Sequence, residues 1–310
     1  MNFYKYMAFR KEFFEELMIR ATPAQILNDP FELKFTKEQL RQYQKNRGID
    51  SSDDDINETI GIVQLEYEDL GVISFSENYD NNVMWSHYAN EHSGVVVQFC
   101  ISKEIGFFTN NIGCDVFGDV HIIPQPVKYS KNLPNFEIID RDNKKQEKFP
   151  YKKFNETILL HKSFDWSYEQ ELRMIVRLRD ADKIIFSLNS KNKDELERIK
   201  EECKRDKRIK IYDKDPNHVT ITYPVGFEGR DDDIGDQSIK FEIYMLTKHL
   251  NPIHLFRINK ECIKSVFLGC KFKDERSLNS KVINSDFYKM RIDENTYSLT
   301  PSLFDFNSIK

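Results

Sequence analysis

DWSYEQELRMIV, residues 165–176, places two glutamates one residue apart at the entrance to a predicted β-strand. Alternate side chains of a strand point to the same face, so Glu169 and Glu171 are expected to point into one cleft. Crowded carboxylates separate in pKa, and one of them can stay protonated near neutral pH. The alternative is a surface strand end at which both acids pair with Arg173 and Arg177. This stretch therefore predicts either a reactive pair or a salt-bridged strand end.

Strands and helices are interleaved along the rest of the chain without a regular βαβ period. β-Branched and aromatic runs with period-two alternation predict strands, and apolar residues at helical spacing predict helices. The strands lie at residues 3–6, 71–76, 94–99, 218–223 and 263–269, and the helices at 11–20, 36–47, 82–90, 154–162 and 191–210. The acidic segment 51–58 is predicted to be a loop. The pattern predicts a single α+β domain over residues 1–310, with a mixed or antiparallel central sheet, peripheral helices and a helical insertion near residues 190–210.

Composition limits the classes of function that are open to this chain. Its 310 residues carry 46 basic and 51 acidic side chains, a net charge of −5, which provides no global basic field for nucleic acid. No apolar run approaches the ~18 residues that span a bilayer, and the N-terminus lacks an apolar secretory core. We therefore expect a cytoplasmic protein without a membrane partner. The five scattered cysteines predict free thiols, and neither they nor the seven histidines have the spacing of a structural zinc site.

Four short segments combine polar reactive groups with turns or aromatic residues. They are LNDPFE (27–32), SFSE (74–77), MWSHYA (84–89) and the opening motif. Each also has a purely structural explanation, because NDP favours a turn and the serines of SFSE can face water. Trp85 and Tyr88 lie three apart, as core residues of a helix do, and His87 suits a structural hydrogen bond. The chain has no GxSxG elbow, P-loop or GxGxxG fingerprint, so serine hydrolase, NTPase and Rossmann functions are not indicated.

The order of these motifs along the chain resembles that of a known family. LNDPFE, SFSE, MWSHYANEHSGVVVQF, DWSYEQELRMI and the late IKSVFLG are similar to an uncharacterised bacterial family whose domain has no known function. The N-terminal YKY resembles the opening strand of that family. Leu27 stands where the family usually has Phe, a change that is expected to affect packing only. The resemblance spans most of the chain and implies a fold group without implying a reaction.

A second resemblance, to ADP-ribosyltransferases, does imply a reaction. That family carries an arginine on its first strand, then Ser-Thr-Ser on a strand, then Glu-x-Glu before a strand. The SFS of residues 74–76 matches the serine motif, and the EQE of residues 169–171 matches the acidic pair. Lys5 stands in place of the arginine, and phenylalanine replaces the threonine. The planar guanidinium fork that suits a pyrophosphate is therefore missing from the first strand.

This second resemblance implies an ADP-ribosyltransferase-like fold with NAD as the co-substrate. Glu171 is expected to stabilise the oxocarbenium-like state by holding the ribose hydroxyls, and Glu169 to orient or deprotonate an acceptor. His87 is expected to hydrogen-bond ribose or phosphate at the catalytic centre. The candidates for cofactor binding are Lys5, Tyr6, Ser74, Ser76, Trp85 and Tyr88.

The leading hypothesis is a bacterial toxin or antiviral defence effector that consumes NAD. Its ligand would be a small-molecule nucleotide, and its macromolecular acceptor or partner protein is not identified by the sequence. One alternative is a metal-dependent nuclease whose ligands come from Asp29, Glu32, Glu77, Glu169, Glu171 and His87. Another is a non-enzymatic module whose aromatic residues line a ligand pocket or a partner groove. Convergence of Tyr6, Ser74, His87 and Glu171 in one cleft would support the catalytic hypotheses, and dispersal of these residues would rule them out.

Overall fold

A large mixed β-sheet organises the computed structural model, which describes residues 1–46, 48–102, 105–110, 123–136, 151–187, 193–215, 218–227, 234–278 and 285–306. The strands are β1 (Asn2–Met7), β2 (Met18–Pro23), β3 (Leu70–Ser76), β4 (Val95–Cys100), β5 (Gln125–Pro126), β6 (Lys128–Ser130), β7 (His161–Ser163), β8 (Glu171–Arg177), β9 (Lys183–Ser187), β10 (Lys210–Tyr212), β11 (His218–Thr222), β12 (Ile253–Arg257), β13 (Ile263–Leu268), β14 (Asp286–Ile292) and β15 (Leu299–Leu303). The helices are α1 (Lys11–Glu16), α2 (Lys37–Asn46), α3 (Asp53–Glu68), α4 (Asn82–Tyr88), α5 (Tyr151–Leu159), α6 (Lys193–Lys204) and α7 (Ile234–Thr247).

Within the described residues, 13 of these strands form one sheet. Its main path runs β10-β11-β9-β12-β2-β3-β1-β4-β13-β14-β15, and β8 and β5 branch from β3. The β13–β14 pair is parallel, and the other pairs of this sheet are antiparallel. The remaining strands, β6 and β7, form a separate parallel pair. The prediction of an α+β fold with a mixed central sheet is confirmed.

One edge of β3 is shared by two strands that separate from each other. β2 pairs with residues 71–72 of β3, whereas β1 pairs with Ser76 at the other end. Across the described strands, residues 73–75 have no strand partner on this edge. The opposite edge of β3 pairs with β8 along its whole length. The sheet is therefore forked between β1 and β2, and the fork opens beside the middle of β3.

Apolar side chains cover both faces of the sheet around this fork. Phe3, Phe75 and Phe99 belong to the largest core cluster, which also contains several apolar residues of α1, α6 and α7. The other face is covered by α2, α3 and α5 around β3 and β8, and by α4 around β1 and β4. Burial of this apolar surface is the main favourable term in folding, and it holds the strands of the fork in place.

Three segments differ from their predicted structure, and one of them is the end of the predicted helix 154–162, where the chain forms β7 from His161. The predicted helix 11–20 ends at Glu16, because Leu17 is left-handed (φ 53°) and the chain continues as β2. Pairing with β3 and β12 outweighs the helical spacing of the apolar residues there. The acidic segment predicted as a loop contains the start of α3, which Ser52 and Asp55 cap reciprocally. The predicted helix near residues 190–210 is present as α6, over Lys193–Lys204.

The four cysteines in the described residues, Cys100, Cys203, Cys262 and Cys270, are free thiols. Among the described helices, none has the length and apolar character required to cross a bilayer.

Candidate functional site

A cavity of about 410 Å³ lies at the fork between β1 and β2. Its volume is within the range of pockets that bind small molecules. Seven of the nine predicted site residues line it: Lys5, Tyr6, Ser74, Ser76, Tyr88, Glu169 and Glu171. The strands that carry the basic, serine and acidic motifs, β1, β3 and β8, are adjacent in the sheet. The structure thus brings these three motifs together at one cavity, which we call the fork cavity.

Lys5 reaches the fork cavity through the gap in the sheet. Lys5 lies two residues after Phe3 on β1, so its side chain leaves the strand on the same face as that of Phe3. Its ammonium donates a hydrogen bond of 2.7 Å to the backbone carbonyl of Ser74. This carbonyl lies in the part of β3 that neither β1 nor β2 pairs with. Burial lowers the pKa of Lys5 to about 8; the charge of Glu171 opposes this shift and that of Arg20 adds to it. Lys5 is therefore a half-buried cation whose charge can be lost just above neutral pH.

The wall of the fork cavity contains a buried ion cluster, which consists of Glu32, Lys162, Glu169, Glu171 and Arg173. Their side chains are at most 6% exposed. The Lys162 ammonium lies 3.1 Å from Glu32, 2.6 Å from Glu169 and 3.3 Å from Glu171. Buried charges are tolerated only when they are paired and hydrogen-bonded, and Lys162 meets that condition with three carboxylates at once.

Arg173 completes the ion cluster from the same strand as Glu171. Its Nε and Nη2 donate to the two carboxylate oxygens of Glu171 at 2.8 and 2.9 Å. Its Nη2 also lies 2.5 Å from Glu32, and its Nη1 donates to the carbonyl of Leu159 at 2.8 Å. This bidentate geometry is the strongest arrangement that a guanidinium and a carboxylate can adopt.

Two carboxylates of the ion cluster, Glu171 and Glu32, have pKa values that are shifted in opposite directions. Burial acts to raise the pKa of Glu171, but the charge and hydrogen bonds of Arg173, the charge of Lys162 and a hydrogen bond from Ser74 lower it to about 2. Burial raises the pKa of Glu32 despite the same two cations. Burial disfavours the charged form of Lys162, yet the three glutamates raise its pKa above the ordinary value. Glu171 is therefore ionised at neutral pH.

A backbone reversal at Gln170 explains how both glutamates of the EQE motif reach the cavity wall. Glu169 ends a short 3₁₀ helix (Phe164–Glu169), and Gln170 is left-handed with φ 44° before β8 begins at Glu171. The prediction that strand alternation aligns the two acids is wrong in this detail, because Glu169 precedes the strand. Ser76 secures the turn by donating from Oγ to the carbonyl of Glu169 at 2.8 Å. The backbone N–H of Glu171 donates to the hydroxyl of Tyr129 at 2.8 Å.

Helix α4 brings Tyr88 to Glu169. The helix begins at an Asn81 cap, whose side-chain oxygen accepts from the backbone N–H groups of residues 83 and 84. The Asn81 side chain also donates to the carbonyl of Tyr168 at 2.7 Å, which joins the helix to the 3₁₀ turn. From the last residue of α4, the Tyr88 hydroxyl donates to Oε1 of Glu169 at 2.5 Å. Burial and this bond to Glu169 raise the pKa of Tyr88.

Two predicted site residues lie outside the cavity lining. Trp85 is fully buried, and its indole N–H donates to the carbonyl of Tyr79 at 2.7 Å. His87 is exposed, and its Nδ1 lies 3.3 Å from the Tyr168 hydroxyl. Of the four residues whose convergence was in question, Tyr6, Ser74 and Glu171 line one cavity and His87 does not.

Three cations of this site were not among the predicted site residues. Arg20 lines the fork cavity from β2 and makes no ion pair within the described part of the chain. The apolar spacing of residues 11–20 predicts a helix and does not indicate that Arg20 lies beside Lys5. The spacing of residues 154–162 likewise predicts a helix for Lys162, which lies in β7. The sequence favours Arg173 as a surface partner of the acids, whereas it is 1% exposed.

The oxygen donors proposed for a metal are arranged around cations. Glu32, Glu169 and Glu171 converge, but their oxygens contact Lys162 and Arg173. Glu77 and His87 are exposed, and Asp29 accepts from the backbone N–H of Phe31. Among the described residues, no group of three or more histidine, cysteine or acidic side chains is placed to hold a metal ion.

Comparison with known proteins gives one match. Residues 84–174 match the model of the family described as "Protein of unknown function (DUF2971)". The matched segment begins at Met84 of the MWSHYA motif, on α4, and ends at Met174 of the ELRM motif, on β8. The chain matches no curated protein and no solved structure. The resemblance to an uncharacterised domain-of-unknown-function family is thus confirmed for the segment that joins α4 to the ion cluster.

Proposed function

We propose that the fork cavity binds an anionic nucleotide, that NAD is its first candidate, and that the nicotinamide–ribose bond is cleaved there. The observation that carries this proposal is the position of the three motif strands. β1, β3 and β8 are neighbours, and Lys5, Ser74, Ser76 and Glu171 line the same cavity.

Two cations make the fork cavity attractive to a phosphate group. Lys5 makes its hydrogen bond to a neutral carbonyl, and Arg20 has no carboxylate partner among the described residues. A guanidinium binds phosphate oxygens through two parallel hydrogen bonds, which a lysine ammonium does not provide. Arg20 thereby supplies, from β2, the planar group that β1 lacks. Each charge-assisted hydrogen bond of this kind is worth about 1.5–3 kcal/mol.

The cleavage step assigns separate roles to the two glutamates. The bond between C1′ of the ribose and the nicotinamide nitrogen breaks, and its electron pair leaves with nicotinamide. The ionised carboxylate of Glu171 stabilises the positive charge that develops on the ribose. Water or an acceptor hydroxyl then forms a bond to C1′ and loses its proton to Glu169, which must release one of its partners, Tyr88 or Lys162, to receive it.

A non-enzymatic nucleotide-binding module is the second candidate. It is favoured by the pairing of Glu169 and Glu171 with buried cations, because a carboxylate held by Lys162 and Arg173 is less available to a substrate. In that case Lys5 and Arg20 would bind the same ligand and no bond would break.

Binding and cleavage are measured separately in one experiment. Isothermal titration with ADP-ribose reports binding, and chromatography of released nicotinamide reports cleavage of NAD. Arg20→Ala is expected to weaken ADP-ribose binding about tenfold or more, because it removes the guanidinium proposed to bind the phosphates. The side chain is exposed, so its loss is expected to leave the fold intact. Arg291→Ala, at an exposed arginine of β14, is the matched control and is expected to leave both readings unchanged.

The outcomes distinguish the two candidates. The transferase is supported if the wild-type protein releases nicotinamide and if Glu169→Gln and Glu171→Gln each reduce this release about a hundredfold or more. The circular dichroism of both variants must be unchanged. Binding of ADP-ribose without cleavage supports the binding module. Absence of both binding and cleavage rejects the proposal. Insensitivity of cleavage to EDTA separates this chemistry from that of a metal-dependent nuclease.

An effector role follows from this reaction if it occurs in cells. Consumption of NAD in the cytoplasm would stop growth, so expression of the wild-type chain is expected to be toxic or to limit infection. The Glu171→Gln chain, expressed to the same level, is expected to be harmless. Equal growth with the two chains would argue against a toxin or an antiviral defence effector.

A further inference from the structure

A second cavity, of about 250 Å³, lies next to the fork cavity. Lys162 lines both cavities. Phe31 lines the second cavity, whereas the next residue, Glu32, belongs to the ion cluster. The Glu32–Lys162 ion pair therefore lies where the linings of the two cavities meet. We call this site the second cavity.

The lining of the second cavity is cationic and apolar. Its charged or titratable side chains are Lys34, Lys131, His161 and Lys162, and no acidic side chain is among the described residues that line it. Lys34 and Lys131 are exposed, and neither makes an ion pair in the described part of the chain. The whole chain has a net charge of −5, so this local excess of positive charge opposes the overall balance. A site with these properties attracts anions.

An exposed aromatic ring adds a flat apolar surface to this charge. Phe31 is 66% exposed, and the Lys34 ammonium lies 5.8 Å from the centre of its ring. Ligand pockets are commonly lined by aromatic side chains, and a phenyl face can stack on a heterocyclic base.

The backbone at Leu33 holds this arrangement in a strained conformation. Leu33, which also lines the second cavity, has φ 59°, in the left-handed region that non-glycine residues rarely adopt. The turn directs Glu32 into the ion cluster while Phe31 and Lys34 line the second cavity. Such strain is unfavourable and is concentrated at functional sites.

We propose that the second cavity binds a free mononucleotide, with its phosphate attracted by Lys34 and Lys131 and its base placed against Phe31. Charge complementarity selects the phosphate, and the exposed ring selects the planar base. The cavity is smaller than the fork cavity, so we expect its ligand to be a single nucleotide and not a dinucleotide. This inference goes beyond cleavage of NAD at the fork cavity and does not depend on it.

Titration of the whole protein with AMP, adenosine and inorganic phosphate at low ionic strength tests this proposal. The Arg20→Ala background is used so that AMP bound at the fork cavity does not obscure the second cavity. In that background AMP is expected to bind one site, and adenosine, which lacks the phosphate, to bind at least tenfold more weakly. The Lys34→Glu/Lys131→Glu variant is expected to bind AMP with an affinity at least tenfold lower. Lys207→Glu/Lys214→Glu, a double reversal at exposed lysines outside this cavity, is the matched control and is expected to change AMP affinity less than twofold.

Three results would overturn the proposal. They are absence of AMP binding at millimolar concentration in the Arg20→Ala background, equal affinity for AMP and adenosine, and unchanged AMP affinity after reversal of Lys34 and Lys131. Thermal unfolding of each variant shows that it is folded when its affinity is measured. Phe31→Ala gives an independent reading: it is expected to weaken AMP binding while leaving the weak binding of inorganic phosphate unchanged. Failure of NAD cleavage with AMP binding retained would reject only the first function.

Discussion

Glu171 and Arg173 lie two residues apart on β8 and form a bidentate ion pair whose N···O distances are 2.8 and 2.9 Å. Both side chains are almost completely buried. Residues i and i+2 of a strand point to the same face, so the geometry of β8 alone places the two side chains side by side. Arg173 also contacts Glu32, and the same guanidinium therefore ties the LNDPFE segment to the sheet.

Removal of either partner of this pair is expected to destabilise the fold. Arg173→Met leaves three buried carboxylates with one cation, Lys162, and the free energy of unfolding should fall by about 3–5 kcal/mol. Glu171→Gln breaks the bidentate pair but leaves Arg173 with Glu32, so its loss should be smaller. The double variant removes both charges, so its loss should be smaller than the sum of the single losses by more than about 1 kcal/mol. Urea denaturation of the four proteins measures this coupling. Additive losses would show that the pair does not act as a unit.

The hydrogen bond from Tyr88 to Glu169 is expected to contribute to stability in its own right. Tyr88→Phe removes the donor and leaves the ring, and the free energy of unfolding should fall by about 1.5–3 kcal/mol because the acceptor is a buried carboxylate. Tyr297→Phe is the matched control, since Tyr297 is fully exposed and should change stability by less than about 0.5 kcal/mol. Equal effects of the two substitutions in urea denaturation would contradict a contribution of this bond.

Much of the fold could be predicted because its central strands have strong local patterns. The alternating or β-branched segments became β3, β4, β11 and β13. The failures have a physical cause in each case. The segment after Glu16 has helical spacing, but its place between β3 and β12 depends on residues far along the chain. The three aspartates after Ser52 resemble a solvated loop, yet acidic residues are also favoured in the first turn of a helix, where they begin α3.

The candidate site was predictable only where its residues lie in motifs. Ser74, Ser76 and Glu171 could be grouped because alternation within adjacent strands brings them to one cavity. Arg20 and Lys162 lie in segments without a distinctive pattern, and their role depends on the fork and on the β6–β7 pair. The burial of Arg173 was equally hidden, because an arginine in a strand is usually exposed.

A glycine near the end of β13 is expected to be essential for the turn that follows α4. That turn has three successive left-handed residues, Asn90, Glu91 and His92, and it packs against Gly269. A Cβ at Gly269 would lie 2.0 Å from the carbonyl oxygen of His92, so Gly269→Ala should lower the free energy of unfolding by more than about 2 kcal/mol. Gly61→Ala, within α3, meets no atom within 4 Å and should be neutral or stabilising by up to about 1 kcal/mol. Similar effects of the two substitutions on thermal unfolding would show that the close approach is relieved easily.

Protonation of Lys5 is expected to make ligand binding depend on pH. Burial lowers its pKa from 10.5 to about 8, so the ammonium is mostly charged at pH 7 and mostly neutral at pH 9. The phosphates of ADP-ribose do not titrate in this interval, and affinity should fall about tenfold from pH 7 to pH 9 if binding requires the charged lysine. Folding stability should change in the opposite direction: between about pH 8 and 10.5 the unfolded chain binds this proton more tightly, so the contribution of Lys5 to stability rises with pH. Lys5→Arg stays charged throughout and should give an affinity independent of pH, measured by titration calorimetry. A wild-type affinity that does not change between pH 7 and pH 9, or a Lys5→Arg variant with the same decline, would remove Lys5 from the anion site.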